Sequence, residues 1–190
     1  MSVGRLVTRT VIGGLFIGHG TQKLFGWFDG PGPAGTAAMM ESLDMRPGKV
    51  HALLGGITET VGGSLLAAGL ATPLASAALT GVMTTAIKKV HLPHGPWAAN
   101  GGWEYNAVMI GAVTALAETG PGDLSLDHLL GTERSGPAWA LAALAAGVGT
   151  AALTMAVGSR GRSSLPPTTD TSAAKAAQDG TAGDPASAGT

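Results

Sequence analysis

Five long apolar stretches, separated by short polar connections, constrain the fold of this chain more than any other feature. They occupy residues 6–28, 50–70, 73–92, 103–119 and 137–157. A transmembrane helix needs about 20 mostly apolar residues, and each stretch is close to that length. Charged residues make up 12% of the chain, against about 25% in a typical soluble domain. The pattern predicts an all-α integral membrane helical bundle of four core transmembrane helices plus a fifth, C-terminal hydrophobic helix.

The predicted helices divide the chain into three parts. Residues 1–130 form the four-helix bundle, residues 137–158 add the fifth transmembrane helix, and residues 159–190 form a disordered tail. The tail has almost no large apolar residue, so it cannot bury enough surface to fold. A cleaved signal peptide is the alternative for the first stretch. It is disfavoured because the polar segment His19–Lys23 follows the apolar core where a small-residue cleavage site is expected.

Two connections have distinct predicted structures. The dipeptide Ala71-Thr72 leaves room for a tight turn only, so the second and third stretches must form an antiparallel hairpin. Thr72 is predicted to cap a helix that begins at Pro73, a favoured first residue. In the longer connection after the first stretch, Ala37–Leu43 is predicted to be a short helix at the membrane interface.

The composition excludes several classes of function. The formal net charge is −1, so the chain lacks the basic surface of a nucleic-acid-binding protein. It contains no cysteine, which rules out disulfides, thiolate metal ligands, iron–sulfur clusters and a dithiol relay within this chain.

Nearly all polar residues inside the apolar stretches lie toward one side of the predicted membrane. The connections 29–49 and 93–102 share that side, which we name the loop side, because successive spans alternate in direction. Ionisable residues within a membrane usually face the interior of a bundle or a wet cavity. We therefore predict a polar pocket that opens toward the loop side, with these candidate residues: His19, Gln22, Lys23, Glu59, Lys88, His91, Glu104, Tyr105 and Asn106.

The spacing of these residues indicates that their side chains converge on one pocket, although no catalytic residue can be named. His19, Gln22 and Lys23 follow i, i+3, i+4 spacing, which puts them on one helix face. Glu59 is the natural counter-charge for Lys23 or for Lys88, and the sequence leaves both pairings open.

Structural roles compete with functional ones at several positions. Lys23 and Lys88 can extend to the lipid headgroups, and Glu59 can belong to a purely structural ion pair. His19 can be a packing residue. His91 and His94 lie close in sequence, but the intervening proline breaks the helix and no Asp or Cys is near, so no metal site is predicted.

Other motifs are predicted to anchor and pack the helices. Arg5 and Arg9 are interpreted as terminal anchors, and Gly14 and Gly18 form a GxxxG helix-packing signal. The aromatic residues of the loop side form an interfacial belt. Seven basic residues fall on the loop side and three on the other, which favours a cytoplasmic loop side. The seven are Lys23, Arg46, Lys49, Lys88, Lys89, Arg160 and Arg162.

Several separate motifs resemble the DoxX family of small bacterial and archaeal membrane proteins. They are the segment His19–Gly26, Glu59 followed by Gly62-Gly63, the segment Gly69–Pro73, Val90-His91 and the segment Gly101–Asn106. The resemblance covers about residues 4–130 and implies a four-helix membrane bundle in the plasma (inner) membrane. The fifth apolar stretch and the tail depart from that pattern.

The resemblance also implies a redox context. Namesake relatives are subunits of a thiosulfate:quinone oxidoreductase. Actinobacterial members are described as linking a superoxide dismutase and a sulfurtransferase in a membrane-associated complex. We therefore expect a membrane subunit or anchor of a redox, sulfur-oxyanion or oxidative-stress complex, whose polar pocket binds a quinone or a small anion and holds no covalently bound cofactor.

Three functions stay open. A quinone needs an apolar slot with hydrogen-bond donors at its carbonyls, which the candidate residues can supply, but alone the chain is not expected to be a complete enzyme. The first alternative is a non-catalytic scaffold that recruits soluble redox enzymes. A small-solute transporter is the other, disfavoured because no internal repeat is clear. Besides the lipid bilayer and such enzymes, a second copy of the chain is a possible partner.

Overall fold

The computed structural model describes residues 3–161, which contain seven α-helices joined by short connections. These are α1 (Val3–Phe25), α2 (Gly32–Ser42), α3 (Gly48–Ala68), α4 (Thr72–Ala86), α5 (Glu104–Thr119), α6 (Leu126–Leu130) and α7 (Pro137–Arg160). The five longest helices coincide with the five predicted apolar stretches, and α2 contains the predicted short helix. The all-α fold class is confirmed.

Two helices differ from prediction because of proline. α2 begins at Gly32, five residues before the predicted start, since Pro33 is tolerated in the first turn of a helix. α4 was expected to reach Leu92, but its α-helical pattern ends at Ala86 and continues as a π-helical turn, Ile87–His91, and a short 3-10 turn. Pro93 has no N–H to donate to the preceding turn, so the regular α-helical ladder cannot continue through it.

Close contact between glycines brings α1 and α3 together. A Cβ added at Gly63 of α3 would lie 2.7 Å from the backbone oxygen of Gly13 and 2.9 Å from Cβ of Phe16. One added at Gly20 of α1 would lie 2.7 Å from the backbone oxygen of Gly56. The two backbones can approach this closely only because the glycines at the crossing have no Cβ atom.

The predicted packing role of Gly14 and Gly18 is wrong within this chain. A Cβ added at either position would meet nothing within 4 Å. The face of α1 that packs on α3 instead carries Gly13 and Gly20, which are one heptad apart. A GxxxG pattern reports small residues one turn apart, but it does not say which helix face meets a neighbour.

α4 lies at the centre of the bundle, where it packs on α3, α5 and α7. Leu66 of α3, Leu79 of α4 and Val113 of α5 are buried in one apolar cluster. On the far side of α4, a Cβ added at Gly147 of α7 would lie 2.6 Å from Cβ of Thr80. The fifth helix is therefore an integral part of the bundle.

The predicted α3–α4 hairpin is present, but its turn is capped differently. Ala71 precedes α4 in the left-handed backbone region, with φ 48°, and no side chain caps the helix from that position. Thr72 is the first residue of α4 and not its cap. Its hydroxyl donates to Oδ2 of Asp127, 3.1 Å away. The expectation failed because Asp127, 55 residues distant in sequence, satisfies the free N–H groups instead.

Asp127 of α6 holds the hairpin turn from the side opposite the loop side. Its carboxylate accepts hydrogen bonds from the backbone N–H groups of Ala71 (2.9 Å) and Thr72 (3.1 Å) and from the Thr132 hydroxyl (3.0 Å). Burial raises the pKa of the Asp127 carboxyl, but these hydrogen bonds outweigh burial and hold the pKa below its usual value.

The interpretation of Arg9 as a terminal anchor is wrong. Its side chain is 4% exposed, and the guanidinium donates to the backbone oxygens of Ala67 and Leu124. The last carbonyls of a helix have no intrahelical partner, and a buried guanidinium supplies donors for them. Arg9 thus ties α1 to the C-terminal end of α3. Arg5 donates to the backbone oxygen of Thr119 at 2.7 Å.

Among the described helices, α7 is long enough and apolar enough to cross a membrane by length and composition. The other long helices do not meet this criterion of length and composition, for reasons that their sequences show. α4 and α5 are α-helical over 15 and 16 residues, or about 22–24 Å against a hydrocarbon core of about 30 Å. α1 and α3 include the charged residues Arg9, Lys23 and Glu59.

α7 extends two residues past the predicted fifth helix, 137–158, so Ser159 and Arg160 are helical. At the loop side the backbone oxygen of Gly158 accepts from the N–H of Arg46, 3.2 Å away. Residues 162–190 of the predicted disordered tail lie outside the described residues.

Candidate functional site

Lys23 and Glu59 form an ion pair inside the bundle. Lys23 lies in the last turn of α1, and its Nζ donates to Oε1 of Glu59 in the middle of α3. The Glu59 side chain is 2% exposed and that of Lys23 is 20% exposed. Of the two counter-charges that the sequence left open for Glu59, the structure selects Lys23.

The local sequence explains why Glu59 is buried here. Gly56 and Gly63 flank it on the face of α3 that packs against α1. Because α1 approaches so closely at these glycines, Glu59 is enclosed between the two helices and only its Oε1 reaches an ammonium group. Oε2 is buried and has no hydrogen-bond partner among the described residues. A buried carboxylate oxygen without a hydrogen-bond partner is costly. Oε2 of Glu59 is therefore an acceptor that remains free to receive a hydrogen bond.

A cavity of about 400 Å³ opens beside this pair, between α1, α2 and α3. Eight described residues line it: Lys23, Leu24, Pro33, Ala34, Ala37, Lys49, Ala52 and Leu53. Three of the lining residues are alanines of α2 and α3, whose short side chains leave the space beside α1 unfilled. Its volume is within the range of about 300–1,000 Å³ typical of small-molecule sites.

The remaining residues predicted on α1 turn away from this cavity. Gln22 donates through Nε2 to the backbone oxygen of Phe28, 3.3 Å away, and so supports the turn after α1. His19 is exposed on the surface of the helix. Three residues that share a helix face by spacing therefore have three different environments.

The predicted basic residues of α4's extension do not join the pair. Lys88 is exposed. Its neighbour Lys89 donates to the backbone oxygen of Leu43 at 2.9 Å, which ties the π-helical turn to the end of α2. His91 donates through Nδ1 to the backbone oxygen of Gly101 at 2.7 Å.

The three candidates at the start of α5 also have separate surroundings. Glu104 accepts from the backbone N–H of Ala98 at 2.7 Å and so closes the 93–103 loop. The Tyr105 side chain is 42% exposed. Asn106 is buried, and its Nδ2 donates to Sδ of Met83 at 3.3 Å. The structure thus joins Lys23 and Glu59 and distributes the other candidates along the loop side.

Sequence reasoning missed Lys49 and His51, both near the start of α3. Lys49 lines the cavity, and its position in the interfacial connection gave no signal of that role. His51 is buried, its Nδ1 has no partner among the described residues, and Gly158 of α7 lies close to its ring. In residues 3–161 no three His, Asp or Glu side chains are arranged to hold a metal ion.

Long helices with apolar outer faces, a buried ion pair and an adjoining cavity define a class of protein: an all-helical bundle with a polar site inside it. The DoxX family model matches residues 4–92, from the first turn of α1 to the end of the π-helical turn. This match to a DoxX domain covers 89 of the 190 residues and indicates a membrane protein of the DoxX type. No curated protein matches the chain. No solved structure matches it either.

Proposed function

We propose that the chain is a multi-pass protein of the plasma (inner) membrane, with α1, α3, α4, α5 and α7 crossing the bilayer. The support is the outer surface of these helices, where large aliphatic side chains are exposed along their length. Examples are Val11, Leu15, Ile57, Val61, Val108, Leu141 and Leu153. A water-soluble monomer rarely exposes so much contiguous apolar surface. Exposed Phe25, Trp27 and Phe28 at the end of α1 fit the headgroup region.

Membrane placement is tested by fractionation. The full chain is expected to stay in the membrane pellet after alkaline extraction and to require detergent for release. Release into the aqueous fraction would contradict the proposal.

Within the membrane, we propose that the chain is a subunit of a redox complex and binds a lipid-soluble ligand of the quinone class in the α1–α2–α3 cavity. The observation that carries this proposal is the position of Lys23, which is held by buried Glu59 and also lines a cavity that is otherwise mostly apolar. An ammonium group has three donors and Glu59 takes one, so donors remain for a ligand carbonyl.

The residues present fit such a ligand. Leu24, Ala37 and Leu53 offer an apolar slot, and Lys23 offers a hydrogen-bond donor at its inner wall. A bound quinone would supply two-electron chemistry that no side chain of this cysteine-free chain provides. The protein's own residues orient the ligand, exclude water from the slot and hold a proton on the Lys23–Glu59 pair.

Binding of a short-chain ubiquinone analogue to the purified full-length protein tests the proposal. We expect saturable binding that weakens at least tenfold in Lys23→Met and is unchanged in Lys88→Met, a matched control because Lys88 is exposed away from the cavity. Equal binding by both variants, or none by the wild type, would contradict the proposal.

The partner enzymes remain proposals that follow from family membership. A superoxide dismutase or a sulfurtransferase would supply the soluble half of the complex. A pure scaffold predicts that such partners co-purify with the Lys23→Met variant as well as with the wild type. A ligand-dependent subunit predicts that the complex still assembles with the Lys23→Met variant but has no redox activity.

A further inference from the structure

We infer that the α1–α2–α3 cavity prefers an amphipathic anion: an aliphatic chain that ends in a carboxylate or phosphate. This inference rests on the proposed binding of a lipid-soluble ligand in the cavity, and it names an anionic amphiphile as the preferred ligand in place of a neutral quinone. The observation that carries it is the second lysine in the lining, Lys49, which a neutral ligand does not require.

The charge of the cavity wall is positive overall. Lys23 is neutralised by Glu59, which lies behind it and is not part of the lining. Lys49 is exposed and makes no ion pair with any described carboxylate, and the described lining contains no acid. One uncompensated ammonium therefore remains at the cavity, together with the free donors of Lys23. Two ammonium groups around an apolar slot complement an anionic group better than a neutral carbonyl.

The apolar part of the lining has the right position for a chain. Lys49 and Leu53 lie four residues apart on α3, so they share one face of that helix. Leu53 is 54% exposed, so the slot opens past it toward the outer surface of the bundle. An anionic group at the lysines would leave its aliphatic chain along Leu24 and Leu53, where the proposed membrane supplies hydrocarbon.

Two sources share this chemistry, a free fatty acid and an anionic phospholipid. The proposed cytoplasmic position of the loop side would expose the cavity to the leaflet that carries anionic lipids. We therefore test both sources with neutral counterparts of the same chain length.

The experiment uses the purified full-length protein in a neutral detergent, with ligand-induced thermal stabilisation as the readout. Oleate is compared with methyl oleate, which has the same chain without the charge. Phosphatidylglycerol is compared with phosphatidylcholine. We expect oleate, phosphatidylglycerol or both to bind at least tenfold more tightly than the neutral counterpart. The pair with the larger ratio of charged to neutral affinity identifies the source of the anion.

Variants locate the binding. Lys49→Met and Lys49→Glu change an exposed side chain, so folding is expected to survive, and unliganded melting temperatures verify this. Anion affinity should fall at least threefold in Lys49→Met and further in Lys49→Glu, with Lys88→Met unchanged. Equal affinity for charged and neutral ligands, or equal losses in Lys49→Met and Lys88→Met, would overturn the inference. Binding of the quinone analogue with no anion preference would overturn it as well, while leaving the proposed function intact.

Discussion

At the scale of single residues, the Lys23–Glu59 pair couples stability to the proposed site. Removing one member of a buried ion pair typically costs about 3–5 kcal/mol, because the remaining charge stays desolvated. The two members differ in exposure, however. Glu59 has almost no contact with solvent, whereas Lys23 is one-fifth exposed and has a long side chain that can turn toward the cavity.

This asymmetry predicts unequal effects of the two single substitutions. Lys23→Met should lower the free energy of unfolding by about 3–5 kcal/mol, because it strands the Glu59 carboxylate. Glu59→Gln should cost less, because Lys23 can reorient toward the cavity. The double variant should recover much of the loss. A double-mutant cycle of unfolding in detergent measures these values, with Lys88→Met as a control expected within about 0.5 kcal/mol of wild type.

Two outcomes would contradict this account. Additive effects in the cycle would mean that the residues do not interact. Full ligand binding in a well-folded double variant would reduce the pair to a structural role.

Asp127 predicts a pH dependence of stability with a defined sign. Its folded-state pKa lies below the unfolded value of about 3.9. A carboxyl with a lowered folded pKa contributes stability above its unfolded pKa, and that contribution is lost as pH falls through the folded pKa. The contribution of Asp127 should therefore be complete at neutral pH, begin to decline below about pH 4 and be lost only below the lowered folded-state pKa.

Asp127→Asn isolates this contribution. The variant keeps one acceptor oxygen but loses the charge, so at pH 7 we expect a loss of about 1.5–3 kcal/mol, the range for a hydrogen bond to a charged group. The difference in unfolding free energy between wild type and variant should shrink as the pH is lowered below about 4. A difference that stays constant from pH 7 to pH 3 would show that the carboxylate charge is not what holds the turn.

At the scale of helices, the α1–α3 crossing depends on glycines that contact each other in pairs, Gly13 with Gly63 and Gly20 with Gly56. Gly63→Ala would push a methyl group against the backbone of Gly13, which cannot move without separating the helices. We expect it to cost about 1–3 kcal/mol by overpacking. Gly14→Ala places the same methyl on the open face of α1 and should be neutral or stabilise by up to about 1 kcal/mol through helix propensity.

Unfolding of both variants in detergent measures these differences. Because Glu59 lies between Gly56 and Gly63, Gly63→Ala should also weaken ligand binding in the cavity, and Gly14→Ala should not. Equal stability of the two variants would show that the helices do not meet at Gly63.

The helices could be predicted from the sequence more readily than their contacts. Apolar stretches bounded by Gly and Pro determine where a helix begins and ends, and this information is local. The pairing of Glu59 could be anticipated in part, because its depth in the predicted bundle left two counter-charges open, Lys23 and Lys88, and the structure selects Lys23. The hydrogen bonds of Arg9 and Asp127 could not be predicted from the sequence. Each side chain binds backbone atoms more than 50 residues away, and such partners leave no local signal.

The cavity could not be predicted for a related reason. It forms where alanines of α2 and α3 fail to fill the space beside α1. Its volume depends on the angle of α2, which the sequence leaves undetermined. Lys49 acquires a role only once that geometry is known.

At the scale of the whole molecule, the matched family segment is smaller than the structural unit. Residues 4–92 end before α5 and α7. Yet Leu79 and Ala75 of α4 are completely buried, and α4 packs on α5 and α7 as well as on α3. A chain that stopped after residue 92 would expose the centre of the present bundle.

Two truncations therefore have opposite expected results. Ending the chain after Gly161 leaves every described helix intact and should not change membrane yield or melting temperature. Ending it after Gly136 removes α7, exposes Thr80 and Gly81 of α4, and should sharply reduce the yield of folded protein. Detergent extraction followed by size-exclusion chromatography compares the two. A folded monomer lacking α7 would mean that the fifth helix is peripheral, and a collapse on removing residues 162–190 would mean that the tail contributes to the bundle.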